Sequence, residues 1–271
     1  RAIPHGALPW WCTPSRTDGW LLLQLTATCR GRDDRYKQID SPDDTIMCGI
    51  AGIYAVKTNR PVERALLAKM AGTLNHRGPD EHGFHVGGGI GLAHTRLSII
   101  DLSGGSQPIY NEDRSLCVVF NGEIFNYIEL REVLEKKGHR FYTRSDTEVI
   151  VHMYEEYGRE CFNRFNGQFA IALWDDRNRE LILARDRVGV RPLFYSLLPD
   201  GTLVFASEMK AIFCYPGFEP EIDPEGINQI FTIWVNIPPR TVFKGVNELA
   251  PGHVMTASPK GIAAKRFWRM Q

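Results

Sequence analysis

Cys48 stands directly after Met47 and heads a glycine-interrupted apolar run, Cys48-Gly49-Ile50-Ala51-Gly52-Ile53-Tyr54. In isolation, a cysteine beside glycine in an apolar strand is a small buried hydrophobe. Its place behind a methionine opens a second reading, because translation from Met47 followed by removal of that methionine would leave Cys48 with a free α-amino group. An α-amine has an unperturbed pKa of about 7.7–8.0 and a thiol one of about 8.5, so the amine can take the thiol proton without a histidine. One residue then supplies both nucleophile and base. A thiolate attacking an amide carbon creates an oxyanion, which needs donors already in place. Asn121-Gly122, at the end of an apolar strand, offers a side-chain amide and a backbone N–H; taken alone, the pair reads equally well as a turn.

Other chemistry is thin. His76, His94 and His253 are not at metal-ligand spacing, and no metal is expected. Cys12, Cys29, Cys48, Cys117, Cys161 and Cys214 are scattered without the short pairs of a zinc site or a secreted disulfide scaffold, which points to a reducing compartment. No phosphate-cradling glycine loop is present.

The elements that must position Cys48 and Asn121 can be read from pattern. Short β-branched and aromatic runs predict strands at 90–94, 116–121, 168–174, 181–186, 193–197 and 203–207, with Met47 to Tyr54 as an opening strand. Asp175-Asp176-Arg177-Asn178 and Pro199-Asp200-Gly201-Thr202 have the residues of hairpin turns. Asn126 and Glu129 suggest a capping box for a helix that carries Leu130 and Leu134 and stops at Gly138. A second helix follows Ser145-Asp146, with Val149, Ile150, Met153, Tyr154 and Tyr157 at helical spacing before Gly158, and a third lies between Pro61 and Leu74. Strands in antiparallel groups with helices between them imply layered sheets with helices outside.

The chain has 271 residues with 32 basic and 32 acidic side chains, so its formal net charge is zero, and 43% of residues are apolar. That balance is globular and disfavours a phosphate-tracking surface. No stretch approaches the roughly 20 apolar residues of a membrane span. The chain opens on Arg1, and residues 1–46 lack periodicity, so they read as an extension or as sequence translated from upstream of the real start. After Glu208-Met209-Lys210 prolines crowd together, from Pro216 to Pro251, and residues 216–271 read as a linker and the start of a further, truncated domain.

Six blocks occur in order: Met47-Cys48-Gly49-Ile50-Ala51-Gly52, His76-Arg77-Gly78-Pro79-Asp80, Arg96-Leu97-Ser98-Ile99-Ile100-Asp101, Phe120-Asn121-Gly122-Glu123-Ile124-Phe125-Asn126, Ser145-Asp146-Thr147-Glu148 and Ala184-Arg185-Asp186-Arg187. Together they resemble the glutaminase domain of glutamine-hydrolysing asparagine synthetases, a class II glutamine amidotransferase of the N-terminal-nucleophile hydrolase type. The resemblance is tight from Met47 to about Ser207 and looser to Gly252-His253. Thr95 departs from it, standing where a basic residue is expected.

The resemblance implies an α+β fold, a four-layer αββα sandwich of two antiparallel sheets, over residues 47–215. It implies Cys48 as nucleophile, its α-amine as base, and the Asn121 side chain with the Gly122 N–H as oxyanion hole. Arg96, in one block with Leu97 and Ile99, would bind the glutamine α-carboxylate, and Asp146 with Glu123 the α-ammonium. Arg77-Gly78-Pro79-Asp80 would be a loop over the glutamine site, and Arg185-Asp186-Arg187 with Arg191-Pro192 would support the fold and interdomain contact. The expected reaction is hydrolysis of L-glutamine to glutamate and ammonia in the cytoplasm. A C-terminal synthetase domain would then use the ammonia, and ATP, Mg²⁺ and aspartate would belong to that domain, with no cofactor here. No nucleic acid or membrane partner is implied, and a homodimer is among the assemblies allowed. Two alternatives stay open: a glutaminase serving another acceptor, and a non-catalytic docking module in which Cys48 is never freed.

Overall fold

The computed structural model describes residues 47–97 and 105–270. Expectations that fall on residues 1–46 and on Ile99 therefore lie outside the described residues. The elements are, in order, β1 (Gly49–Ala55), α1 (Arg64–Gly72), β2 (Glu81–Gly87), β3 (Ile90–Arg96), β4 (Ile109–Tyr110), β5 (Leu116–Ile124), α2 (Tyr127–Lys136), α3 (Glu148–Tyr157), α4 (Cys161–Arg164), β6 (Gly167–Asp175), β7 (Glu180–Arg185), β8 (Phe194–Leu197), β9 (Thr202–Ala206), α5 (Met209–Ile212), α6 (Pro224–Ile233), β10 (Asn247–Glu248), β11 (His253–Ser258) and β12 (Gly261–Arg266). Each strand expected from the sequence is present within a few residues of its expected bounds.

The strands form two six-stranded sheets, β10-β8-β9-β1-β3-β2 and β12-β11-β7-β6-β5-β4. Every pairing is antiparallel, with Gly49 opposite Thr95 and Gly122 opposite Phe169. Side-chain alternation then builds four layers. Ile50 and Tyr54 of β1, Leu92 of β3, Val119 of β5, Trp174 of β6, Leu183 of β7 and Phe205 of β9 meet between the sheets. The opposite faces of the same strands are also apolar. Ala51, Ile53 and Val204 pack on Leu67 and Met70 of α1 and on Ala211 and Ile212 of α5. Val118, Phe120, Ile171 and Ile182 pack on Leu134 of α2 and on Val149, Ile150 and Met153 of α3. Strands covered on both faces read as nearly unbroken apolar runs, which explains why Gly49–Ala55 is buried throughout. Tyr54 and Trp174 meet edge to face at 5.0 Å between the sheets. Such a pair contributes about 0.5–1.5 kcal/mol beyond its buried area.

Two expectations are corrected. Asn126 makes no capping hydrogen bond to α2. Its Nδ2 donates to the Arg164 carbonyl at 3.0 Å and its Oδ1 accepts from the Asn166 N–H at 2.9 Å, so tertiary backbone groups take the side chain that a local cap would have used. The closing Gly138 does adopt the left-handed conformation expected of it, with φ +101°. Second, part of the span read as linker is sheet. Residues 253–266 form the β11–β12 hairpin, β11 pairs with β7, and Met255 and Ala257 enter the core between the sheets. The prolines around these strands mark loops of the same domain rather than its end.

Candidate active site

Strand ends bring the chemistry together. Cys48 lies immediately before β1, beside the end of β3 that carries Arg96 and Leu97. The facing sheet supplies Asn121, Gly122 and Glu123 from β5, and Asp146 stands two residues before the start of α3. All seven of these residues line one cavity of about 150 Å³. Gly122 is obligatory for this geometry, since its φ is +151° and a Cβ there would sit 2.0 Å from the Gln168 carbonyl oxygen on β6.

The Cys48 thiol accepts the Leu97 N–H at 3.3 Å. Burial pushes its pKa up, while the Leu97 N–H and the Arg96 charge pull it back, so the resting group is a thiol and needs a base at the moment of attack. Among the described residues no histidine or carboxylate hydrogen-bonds it. His94, also buried, is held neutral by desolvation, with its pKa lowered to about 3. Such an imidazole is too weak a base for a thiol.

Asn121 is 1% exposed, and its Nδ2 is a buried donor with no hydrogen-bond partner. An unsatisfied buried amide donor costs about 1–3 kcal/mol, so its retention beside a nucleophile is informative. Asp146 has one oxygen on the Ile124 N–H at 2.9 Å and the other 3.3 Å from the Ser145 hydroxyl. Desolvation, and secondarily the Glu123 charge, raise its pKa to about 6. Arg96 is 5% exposed and its guanidinium meets Glu81 at 3.3 Å and the Ser106 hydroxyl at 3.4 Å on the cavity wall. The cleft thus sets a thiol, an unpaired donor, a cation and two carboxylates around a space that fits a small zwitterion.

Residues 47–268 match the family model described as a glutamine amidotransferase domain. The chain belongs to that family. It is 37% identical over 229 residues to asparagine synthetase [glutamine-hydrolyzing] 3 of Bacillus subtilis, an alignment that covers 83% of this chain and 37% of the relative. It is 44% identical over 177 residues to asparagine synthetase [glutamine-hydrolyzing] 3 of Arabidopsis thaliana, covering 63% of this chain and 30% of that one. The chain therefore spans about a third of the length of these curated relatives. Among solved structures, an allosteric regulatory enzyme of purine biosynthesis superposes with a TM-score of 0.60 at 21% identity, over 82% of this chain and 49% of the other. Glutamine phosphoribosylpyrophosphate amidotransferase of B. subtilis gives 0.59 at 20% identity, over the same shares. These likenesses bear out the α+β, N-terminal-nucleophile hydrolase fold with its two antiparallel sheets.

Three further residues complete this amidotransferase cleft: Gln107, which has no role in the sequence reading, Arg191, read there only as support for the fold and interdomain contact, and Arg77, read there only as part of a loop over the glutamine site. Gln107 pins β5 just before Asn121, accepting the Phe120 N–H at 2.6 Å and donating to its carbonyl at 3.1 Å. Arg191 lines the cavity because the buried Asp186 accepts the backbone N–H groups of Val188, Gly189, Val190 and Arg191 at 2.7–3.1 Å, folding that loop toward the cleft. The Ala184-Arg185-Asp186-Arg187 block was visible, but its consequence, the placing of Arg191, was not. Arg77 of the His76-Arg77-Gly78-Pro79-Asp80 block donates from Nε to the Cys48 carbonyl at 3.1 Å and pairs with Glu208 at 2.9 Å. It anchors the Cys48 backbone. At Thr95, the departure from the family pattern, a buried hydroxyl donates to the Gly49 carbonyl at 3.4 Å.

Proposed function

We propose that this domain hydrolyses glutamine to glutamate and ammonia through a γ-glutamyl thioester on Cys48. The α-amine of a Cys48 freed from Met47 accepts the thiol proton, and the thiolate attacks the side-chain amide carbon. The oxyanion is held by the Asn121 Nδ2–H and the Gly122 N–H. Collapse breaks the C–N bond, and the proton carried by the amine leaves with ammonia. Water then attacks the thioester, giving glutamate and restoring the thiol. Arg96 binds the α-carboxylate, for which a guanidinium fork is suited, and Asp146 with Glu123 binds the α-ammonium. The observation that carries this reading is the buried, unpartnered Asn121 amide facing the same cavity as Cys48.

The relatives support one acceptor. We assign the ammonia to a C-terminal synthetase domain of the full-length protein that converts aspartate to asparagine with ATP and Mg²⁺, and we assign no step in this chain to those groups. A reducing, cytoplasmic setting suits a thiol nucleophile, and Cys48, Cys117, Cys161 and Cys214 are all unpaired. Surface chemistry supports a covering domain: Phe231 is 83% and Trp234 90% exposed at the end of α6, beside exposed Val235 and Ile237.

Mass spectrometry of the N-terminus of protein isolated from its own cells tests the reading. A mature chain beginning at Cys48, with release of glutamate from glutamine, supports it. A chain that keeps Met47 leaves an amide nitrogen that cannot act as base, and with it only a docking role. Glutaminase activity that feeds an acceptor other than aspartate in the full-length protein would retain the first half of the proposal and overturn the second.

A further inference from the structure

Away from the cleft, on the outer helical layer, Glu112, His139, His152 and Glu155 converge, each offering a ligand atom within 4.8 Å of the others. Glu112 comes from the loop between β4 and β5, His139 from the chain just after α2, and His152 and Glu155 from one face of α3. His152 is fully buried, and neither of its ring nitrogens has a hydrogen bond. A core imidazole normally satisfies at least one nitrogen, so both vacancies require a reason.

The geometry points to a structural site for a divalent transition metal of the Zn²⁺ class, with His139 Nδ1, His152 Nδ1 and the carboxylates of Glu112 and Glu155 as ligands. His152 Nδ1 lies 3.4 Å from Glu112 Oε2, and His139 Nδ1 lies 3.6 Å from Glu112 Oε1 and 3.8 Å from Glu155 Oε2. With bonds of about 2.0–2.1 Å, the edge of a tetrahedron around zinc is about 3.3–3.4 Å. These separations are long or misaligned for direct hydrogen bonds; the His152–Glu112 one matches that edge and the His139 ones exceed it, so the ligands would close slightly on a shared ion. The outward nitrogens reinforce the assignment. His139 Nε2 meets Glu156 Oε1 at 3.1 Å, and His152 Nε2 faces Glu148 Oε1 at 3.5 Å. The carboxylate behind His139 fixes the tautomer that leaves its Nδ1 to the metal, and Glu148 stands within reach of His152 Nε2. Two nitrogens and two oxygens suit borderline Zn²⁺ better than Mg²⁺ or Ca²⁺, and four protein ligands leave no open position for catalysis.

Glu112 and Glu155 keep lone pairs for this role. Glu112 Oε1 also accepts the Arg140 N–H at 2.9 Å, and Glu155 Oε1 accepts from Asn111 Nδ2 at 3.4 Å. Lys137, the nearby cation, is engaged by Glu156. Bound metal would tie the turn before β5 and the end of α2 to α3.

Calorimetric titration of the whole chain with Zn²⁺ near neutral pH tests the site. One equivalent is expected to bind with release of protons, and thermal unfolding should shift upward with free Zn²⁺. Glu155→Gln, at the surface, and His139→Gln, at a half-buried position, should remove most of that affinity, and Glu156→Gln should weaken it by about 10–100-fold. Co²⁺ should give the visible absorption of a tetrahedral nitrogen and oxygen site, without a thiolate charge-transfer band. No stoichiometric binding, affinity indifferent to these substitutions, or a thiolate band that places the ion on cysteine would each overturn the proposal.

Discussion

The cleft around Cys48 and the histidine–glutamate cluster on α3 both form where separate elements meet, yet they leave different groups unsatisfied. In the cleft the orphans are donors, Asn121 Nδ2 and Arg191 Nε, set beside a thiol. At the cluster the orphans are imidazole nitrogens set among carboxylates. A lone donor can wait for an oxyanion, while lone pairs converging from several side chains wait for a cation. The two sites share α3 as a support. Asp146 precedes its first turn, and Glu148 in that turn accepts the Tyr142 and Thr143 N–H groups at 2.8 and 2.7 Å while facing His152.

The largest effect that separates them is loss of the nucleophile. Cys48→Ala should abolish glutamine hydrolysis, measured as glutamate release, while a full-length protein carrying it keeps ammonia-dependent asparagine formation. Retained hydrolysis would remove the cleft from the comparison altogether. Asn121→Ala comes next, with an expected loss on the order of 10²–10³ in kcat and little change in KM, because the amide acts on charge that exists only in the transition state. A rise in KM alone would make Asn121 a binding residue.

Gly122→Ala tests whether backbone shape, and not only side chains, holds the donor in place. A Cβ would meet the Gln168 carbonyl at 2.0 Å and require a φ that alanine rarely adopts. Thermal or denaturant unfolding should show a loss of at least about 1–3 kcal/mol, together with lower kcat. Unchanged stability would mean that β5 can move away from β6, and the oxyanion geometry would then rest on Gln107 alone.

These sites differ in how far the sequence exposes them. The cleft residues fall in short contiguous blocks at strand ends, so Cys48, Arg96, Asn121 and Asp146 could be named before any coordinates. Most strands were readable because the four-layer packing makes them apolar on both faces. Strand β2, with the sequence Glu81-His82-Gly83-Phe84-His85-Val86-Gly87 and largely exposed, carries no such signal, and β11 was hidden among prolines. Gln107 reaches the cleft through contacts with β5 that no local pattern encodes, whereas Arg191 is placed by the short Asp186 loop beside a block that was visible. The metal cluster is the extreme case. His152 and Glu155 share a helix face, but Glu112 and His139 join them only through the packing of a turn and a helix end.

Acid provides the finest separation, because it weakens both sites for different reasons. Asp146 has its pKa raised to about 6 by burial, so it is ionised near neutrality and takes up a proton as pH falls through that value. The protonated acid no longer attracts the glutamine ammonium. The KM for glutamine should rise below about pH 6, toward about tenfold per pH unit, with a smaller change in kcat. Stability should move the other way. A buried carboxyl with a raised folded-state pKa stabilises the fold below its unfolded value near 4 and loses that contribution as pH climbs through about 6, so the unliganded domain should gain stability on mild acidification from this group. Zn²⁺ affinity should also fall in acid, because metal binding releases protons. Asp146→Asn distinguishes the two effects: it should raise KM at neutral pH and flatten its acid limb, while the pH dependence of Zn²⁺ binding persists. If both profiles flattened together, α3 would transmit protonation between the sites, and the cleft and the cluster would have to be treated as one coupled unit.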